Sequence, residues 1–129
     1  MHSTGINLEK NRKEIRIDMN VITLKEKLGL EVLNLADPTR EVRRGYCGDL
    51  LSWVMGGASD KDAWITIMTN RNIIAVATLA DVPCVIICEG WEAEESLVSL
   101  AKEKGVNLLS TEDDEFTVAG KLYNLLGLS

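Results

Sequence analysis

WITIMTNRNIIAVATLADVPCVIICEG, residues 64–90, is the stretch that decides the fold. Its first part, WITIMT (64–69), is a β-branched apolar run suited to a strand. NRNIIAVATLADVP (70–83) follows, with asparagines fit to cap a helix and Pro83 after its end. Ile73, Ile74, Val76, Ala77, Leu79 and Ala80 surround most of that helix, which predicts that it is largely buried. PCVIICEG (83–90) is the most apolar strand, as expected at the centre of a parallel sheet.

Outward from this unit the alternation continues. On the N-terminal side, residues 1–18 are polar and lack steady periodicity, so they read as a mobile tail, and the folded domain is expected to span 19–129. TLKEKLG (23–29) carries a capping box, with Thr23 as N-cap and Glu26 three residues on, and Gly29 as the stop. LEVLNL (30–35) reads as a strand, ADPT as a turn, and EVRRGY (41–46) as a second extended piece ending at Gly45 or Gly48. DLLSWVMGG (49–57) predicts a helix with Leu50, Leu51, Val54 and Met55 on one face.

On the C-terminal side, EAEESLVSLAKEK (92–104) sets three glutamates in a first turn and lysines in a last one, matching the helix dipole, and Gly105 closes it. VNLLS (106–110) is a further strand. Thr111 with Asp114 then caps a final helix whose Phe116, Ala119, Leu122, Tyr123 and Leu126 form the expected core stripe, ended by Gly127. The whole pattern predicts an α/β layered domain: a mainly parallel sheet flanked by helices, with right-handed crossovers.

With 129 residues, 46% of them hydrophobic, the chain suits one domain whose core needs neither metal nor disulfide. No apolar run approaches the ~20 residues needed to cross a bilayer, and no apolar signal core opens the chain, so a cytoplasmic protein is expected. A net charge of −6 argues against nucleic acid and acidic membranes as partners. The basic groups Lys10, Arg12, Lys13 and Arg16, and Arg40, Arg43 and Arg44, read as solvated surface. Of the three cysteines, Cys84 and Cys88 would lie about 13 Å apart on one strand, beyond disulfide reach, and read as core. Cys47, close to a helix start, is the one candidate for a lowered thiol pKa.

No catalytic set, metal set or cofactor motif is present, and the lone histidine, His2, lies in the tail. Function therefore points to binding. In parallel sheets ligands gather beyond the carboxyl ends of the strands. That edge delivers Thr69, Asn70, Arg71 and Asn72 from one loop, Glu89 and Gly90 from the next, and Ser110 and Thr111 from the last. The stretch REVRRGYCGDLLSWVM (40–55) adds Arg44, Gly45 and Gly48. Their amides and hydroxyls suit a small anionic metabolite or nucleotide; the plainer reading gives the same residues to caps and turns alone. Glu92, Glu94 and Glu95, like Glu112, Asp113, Asp114 and Glu115, read as helix starts rather than metal ligands. Of Trp53, Trp64 and Trp91, the last stands in a Gly-Trp-Glu loop fit to cover a pocket or meet a partner.

REVRRGYCGDLLSWVM, WITIMTNRNIIAVATLADVPCVIIC and LLSTEDDEFTVAGKLY, in this order, resemble the DRTGG domain over about residues 20–127. This domain is similar to the N-terminal domain of bacterial HPr kinase/phosphorylase. In most relatives a glycine pair falls at the positions of Arg44 and Gly45, with a threonine at Arg43; this chain retains Gly45, Gly48 and Asp49, which still permit a positive-φ turn. The resemblance implies a regulatory or assembly module without catalysis; for a chain this small a homo-oligomer, most simply a symmetric dimer, is expected. Kinase activity is not expected, because no G-x-x-x-x-G-K-S/T occurs and Gly120-Lys121 is followed by Leu122 inside a helix. Two other classes stay open: an enzyme centred on Cys47 or on the loop Thr69–Asn72, and a purely structural assembly part.

Overall fold

A computed structural model describes residues 19–128; the stretch 1–18, read above as a tail, lies outside the described residues. The chain forms α1 (Val21–Leu28), β1 (Glu31–Asn34), β2 (Arg44–Cys47), α2 (Leu51–Gly57), β3 (Asp62–Thr66), α3 (Asn72–Ala80), β4 (Cys84–Ile87), α4 (Glu95–Lys104), β5 (Leu108–Ser110) and α5 (Glu115–Leu125). The five strands make one sheet in the order β1-β5-β4-β3-β2. Strands β2 to β5 are parallel neighbours, and β1 joins β5 antiparallel, pairing Glu31 with Ser110. The sheet is thus mostly parallel, with the most apolar strand, β4, at its centre.

Strand alternation divides the core into two layers. Ala63, Ile65, Cys84, Ile86 and Leu109 face α1 and α5, meeting Leu24, Val118, Leu122 and Leu126. Trp64, Val85, Ile87 and Leu108 face the other side, against Val54 of α2, Ile73, Ile74 and Ala77 of α3, and Leu97 and Ala101 of α4. The three helices connecting β2 to β5 therefore share one face, as successive right-handed crossovers moving in one direction require. After β5 the chain returns to the face of α1, where α5 packs.

Several expected details differ. Helix α1 is capped by Asn20, whose Oδ1 accepts the Thr23 amide at 3.0 Å; Thr23 sits within the first turn. The helix begins early because Arg40 and Pro38 carbonyls accept the Val21 and Ile22 amides. In α2 only Val54 is buried, while Leu50 and Met55 are exposed, since this seven-residue helix reaches the sheet with one side chain. Leu79 of α3 is 70% exposed, because Ile73, Ile74, Val76 and Ala77 already fill the contact with the sheet. Asn72 is the first residue of α3 rather than its cap, and Asn70 Oδ1 accepts the Asn72 amide at 2.6 Å.

Helix α4 starts at Glu95, which leaves Glu92 and Glu94 outside its first turn. On α5 the buried stripe is Val118, Leu122 and Leu126, with Ala119 and Leu125 packed beside it. Phe116, about 200° around the helix from Val118, is 88% exposed, and Tyr123 is exposed too. Cys84 and Cys88 are buried as expected, and burial pushes both thiols up to about 12.

Asn107 ties the layers to the β1–β2 connection. Its Oδ1 accepts the amides of Ala36 (2.7 Å) and Asp37 (2.9 Å), and its Nδ2 donates to the carbonyls of Asp37 (2.7 Å) and Pro83 (2.9 Å). All four hydrogen-bonding positions of the amide are filled.

Candidate functional site

A crevice forms where two adjacent parallel strands send their chains to opposite faces of the sheet. Here those strands are β4, which leads to α4 on one face, and β5, which leads to α5 on the other. At their carboxyl ends lies a groove of ≈ 780 Å³. One wall is the loop Gly90-Trp91-Glu92-Ala93 and the other is Ser110-Thr111-Glu112-Asp113. The antiparallel placement of β1 brings Glu31 and Leu33 to the same edge, with Leu28 and Gly29 from the end of α1 and Lys121 from α5.

The walls are fixed to each other through backbone. The Glu89 amide donates to the Asp113 carbonyl and the Gly90 amide to the Thr111 carbonyl, each at 2.9 Å. Glu89 (φ 70°) and Gly90 (φ 66°) make this turn in the left-handed region, which glycine enters without strain and glutamate does not. Thr111 Oγ1 accepts the Asp113 amide at 3.2 Å, and Lys121 Nζ holds the Asp113 carboxylate at 2.8 Å. Trp91, 60% exposed, offers an aromatic surface in one wall. With Glu31, Glu92, Glu112 and Asp113 against Lys121, the lining is acidic.

Of the residues expected from the sequence, Gly90, Ser110 and Thr111 line this groove, and Glu89 forms the turn beneath it. Gly48 and the loop residues Thr69, Asn70 and Asn72 are not among its lining residues. Arg44 and Gly45 belong instead to a smaller apolar groove of ≈ 190 Å³ between β2 and α5. Neither Gly45 nor Gly48 has a positive φ. Gly45 is instead pressed against α5, where an added Cβ would meet Leu122 Cδ2 at 2.8 Å. The Gly48 carbonyl accepts the Trp64 indole N–H at 2.8 Å, which settles Trp64 as core.

At the far end of the same strand edge lies a carboxyl pair that the sequence reading passed over. Asp49 Oδ1 accepts the Thr66 hydroxyl at 2.7 Å and the Ile67 amide at 3.0 Å, tying the β2–α2 connection to the end of β3. Partial burial works to raise the Asp49 pKa, yet these donors and a hydrogen bond from Glu115 hold it below the usual range. Glu115 is pushed up to about 7 by burial, by its bond to Asp49 and by the negative charges of Asp49 and Glu89. Asp49 was visible only as part of the retained Gly-Asp pair, and Glu115 only as one acid in a helix start.

Cys47 lacks the environment of a reactive thiol. Partial enclosure pushes its pKa up, and Glu115 and Asp49 push in the same direction, the reverse of what a thiolate nucleophile needs. Among the described residues, no three His, Cys, Asp or Glu side chains are grouped to hold a metal ion, and no helix is long and apolar enough to cross a membrane.

A five-stranded, mostly parallel sheet with helices on both faces and a groove at a strand-end crevice defines a small α/β domain. The particular family follows from comparison with known proteins: the chain belongs to the DRTGG domain family, whose model matches residues 55–125. That match begins beyond Arg43–Gly45, where the family's glycine pair was sought. The fold is also similar to the crystal structure of the CBS and DRTGG domains of the regulatory region of Clostridium perfringens pyrophosphatase, complexed with its activator diadenosine tetraphosphate. The two share 16% sequence identity with a TM-score of 0.70; the alignment covers 86% of this chain and 49% of that one, so this chain spans about half its length. No protein of curated function matches the sequence.

Proposed function

We propose that this chain is a non-catalytic regulatory module that senses a small ligand in the crevice between the β4–α4 and β5–α5 loops. The observation that carries this reading is the groove itself. Its ≈ 780 Å³ lies within the ~300–1,000 Å³ common for small-molecule sites. The likeness to a regulatory region crystallised with a nucleotide activator supports the same class of role.

The lining refines the ligand. Carboxylates outnumber cations around the groove, so it suits the hydrogen-bond donors of a sugar and base better than a run of phosphates. Trp91 provides a stacking surface for the base. A nucleoside, or a nucleotide whose phosphates point to solvent, is the favoured occupant, in a cytoplasmic setting and with no cofactor.

Titrating the full chain with the common nucleosides and their mono- and triphosphates, read by thermal shift and tryptophan fluorescence, tests this. A ligand at a hundred times its dissociation constant adds ~2.7 kcal/mol. The expected result is a shift with a nucleoside or nucleotide that Trp91→Ala weakens. No shift from any compound overturns the sensing reading in favour of docking or assembly.

Homodimerisation is the second reading, in keeping with the resemblance to the HPr kinase N-terminal domain. It is favoured by β2, the edge strand of the sheet among the described residues, which has exposed Leu50 and Trp53 on one flank and Phe116 and Tyr123 on the other. Sedimentation of the full chain, with Trp53→Ser and Phe116→Ser as controls, checks it.

A further inference from the structure

The chain enters the fold alongside the segment that becomes β2. The Val21 amide donates to the Arg40 carbonyl and the Val42 amide to the Met19 carbonyl, each at 3.0 Å, and Asn20 bridges Glu41 in the antiparallel sense. Followed one step further, this pairing sets the residues before Met19 against β2. Beyond Val42, the Arg43 and Arg44 amides both donate to the Lys61 carbonyl, at 2.9 and 3.1 Å, a bulge of one extra residue. The Gly48 amide then donates to the Ile65 carbonyl at 3.2 Å. In the parallel register with β3, Arg44, Tyr46 and Gly48 therefore turn their backbone groups to β3. Gly45 and Cys47 turn theirs away, to the side where β2 is the edge among the described residues.

The side chains on the two segments match. Met19 and Val42 are buried in the layer shared with α1 and α5. Gly45 faces the same layer, since a Cβ there would meet Leu122, and Cys47 follows by alternation. Beside them lies the apolar groove of ≈ 190 Å³ between β2 and α5, lined also by Ile65, Ala119 and Tyr123. Glu14-Ile15-Arg16-Ile17-Asp18 comes immediately before Met19, and its two isoleucines fall in the phase of Met19. Counted across the bulge, Ile17 comes opposite Gly45, Arg16 opposite Tyr46 and Ile15 opposite Cys47, while Asp18 meets Arg43 and the exposed Arg44. We propose that residues 14–18, which lie outside the described residues, form a sixth strand antiparallel to β2 that seats Ile15 and Ile17 in the groove between β2 and α5. Met19 already stands at the end of that edge, so the same chain supplies the strand without a linker. The strand covers the unpaired edge and the apolar groove together. It also excludes a homodimer built on the β2 edge, because one edge takes one partner.

The test uses the full chain. In this register residue 15 and Cys47 form a hydrogen-bonded pair with Cα atoms about 5.5 Å apart, within disulfide reach, while Cys84 and Cys88 are buried. Under mild oxidation, Ile15→Cys is expected to form an intramolecular disulfide with Cys47, seen as a monomer of altered mobility on a non-reducing gel. Arg16→Cys, whose side chain points to the opposite face of the sheet, is expected to form none. Amide hydrogen exchange reads the same strand in the unsubstituted chain: the Gly45 and Cys47 amides are expected to be protected. That protection should be lost in the Ile15→Ser/Ile17→Ser double variant while Ile86, in the central strand, keeps its own. Unprotected Gly45 and Cys47 amides in the unsubstituted chain, or equal cross-linking of Ile15→Cys and Arg16→Cys, overturns the strand. A disulfide that joins two chains, or protection that rises with protein concentration as a dimer sediments, overturns it as well and gives the edge to a second copy.

Discussion

Replacing Asn107 by alanine removes four hydrogen bonds at once, and their individual settings fix the expected cost. The bond to the Pro83 carbonyl is fully buried, while those to Ala36, Asp37 N and Asp37 O are partly buried. A buried acceptor left without a partner costs about 1–3 kcal/mol, and a partly exposed one that water can reach loses only a net ~0.5–1 kcal/mol. Summed with partial rescue by solvent, Asn107→Ala should destabilise the domain by about 3–4 kcal/mol, a large share of the ~5–15 kcal/mol typical of whole domains. With a urea slope near ~1.5 kcal/mol/M, the midpoint should fall by about 2 M. Asn107→Asp keeps an acceptor for the Ala36 and Asp37 amides but sets an anionic oxygen against two carbonyl oxygens. Its cost at pH 7 should equal or exceed that of alanine and lessen in acid, where the carboxyl regains a donor. Urea denaturation checks the totals, and exchange of the Ala36 and Asp37 amides locates the loss. A cost below ~1 kcal/mol for Asn107→Ala, with a native spectrum, would refute the reasoning by showing that solvent replaces the whole clamp.

Other consequences follow from single contacts. Asn20→Ala should cost about 1 kcal/mol in thermal or urea unfolding, and Thr23→Ala much less, because the cap of α1 is Asn20. Gly90→Ala forces a side chain into φ 66° and should cost about 1–2 kcal/mol, while also weakening any ligand response of the groove. Trp64→Phe leaves the Gly48 carbonyl without its 2.8 Å donor and should lower stability by about 1–2 kcal/mol. Glu115 holds its proton in the folded state to about pH 7, well above the unfolded range. Its contribution is therefore largest below the unfolded carboxylate pKa and is lost as pH rises toward and through neutrality, so wild type should lose stability relative to Glu115→Gln between about pH 5 and 8.

The fold was legible because its determinants are local runs with distinct periods. Residues 64–90 alone contain two core strands and a helix whose apolar positions leave no other layered arrangement as economical. What escaped was rotation and phase. An apolar position on α5 can be core or surface according to how the helix is set on the sheet; here Asp114 caps it, with Val118 facing inward and Phe116 outward. The cap of α1 was misplaced for a related reason. Its first amides are satisfied by Pro38 and Arg40, residues that no window around Thr23 contains.

The candidate site divides along the same line. Gly90, Ser110 and Thr111 could be placed because they end strands, and the edge of a parallel sheet is a property of strand order. Glu31, Leu33 and Lys121 could not, since they reach the groove only through the antiparallel turn of β1 and the return of α5 across the opposite face. These latecomers change the chemistry. The hydroxyls of Ser110 and Thr111 alone would suit a phosphate, but Glu31, Glu92 and Glu112 surround them with negative charge. Arg44, the cation expected to attract an anion, stands instead beside the apolar groove of β2 and α5. A ligand that enters the β4–β5 crevice must therefore bring donors to meet carboxylates, which is why uncharged nucleosides rather than polyphosphates are the decisive compounds to try.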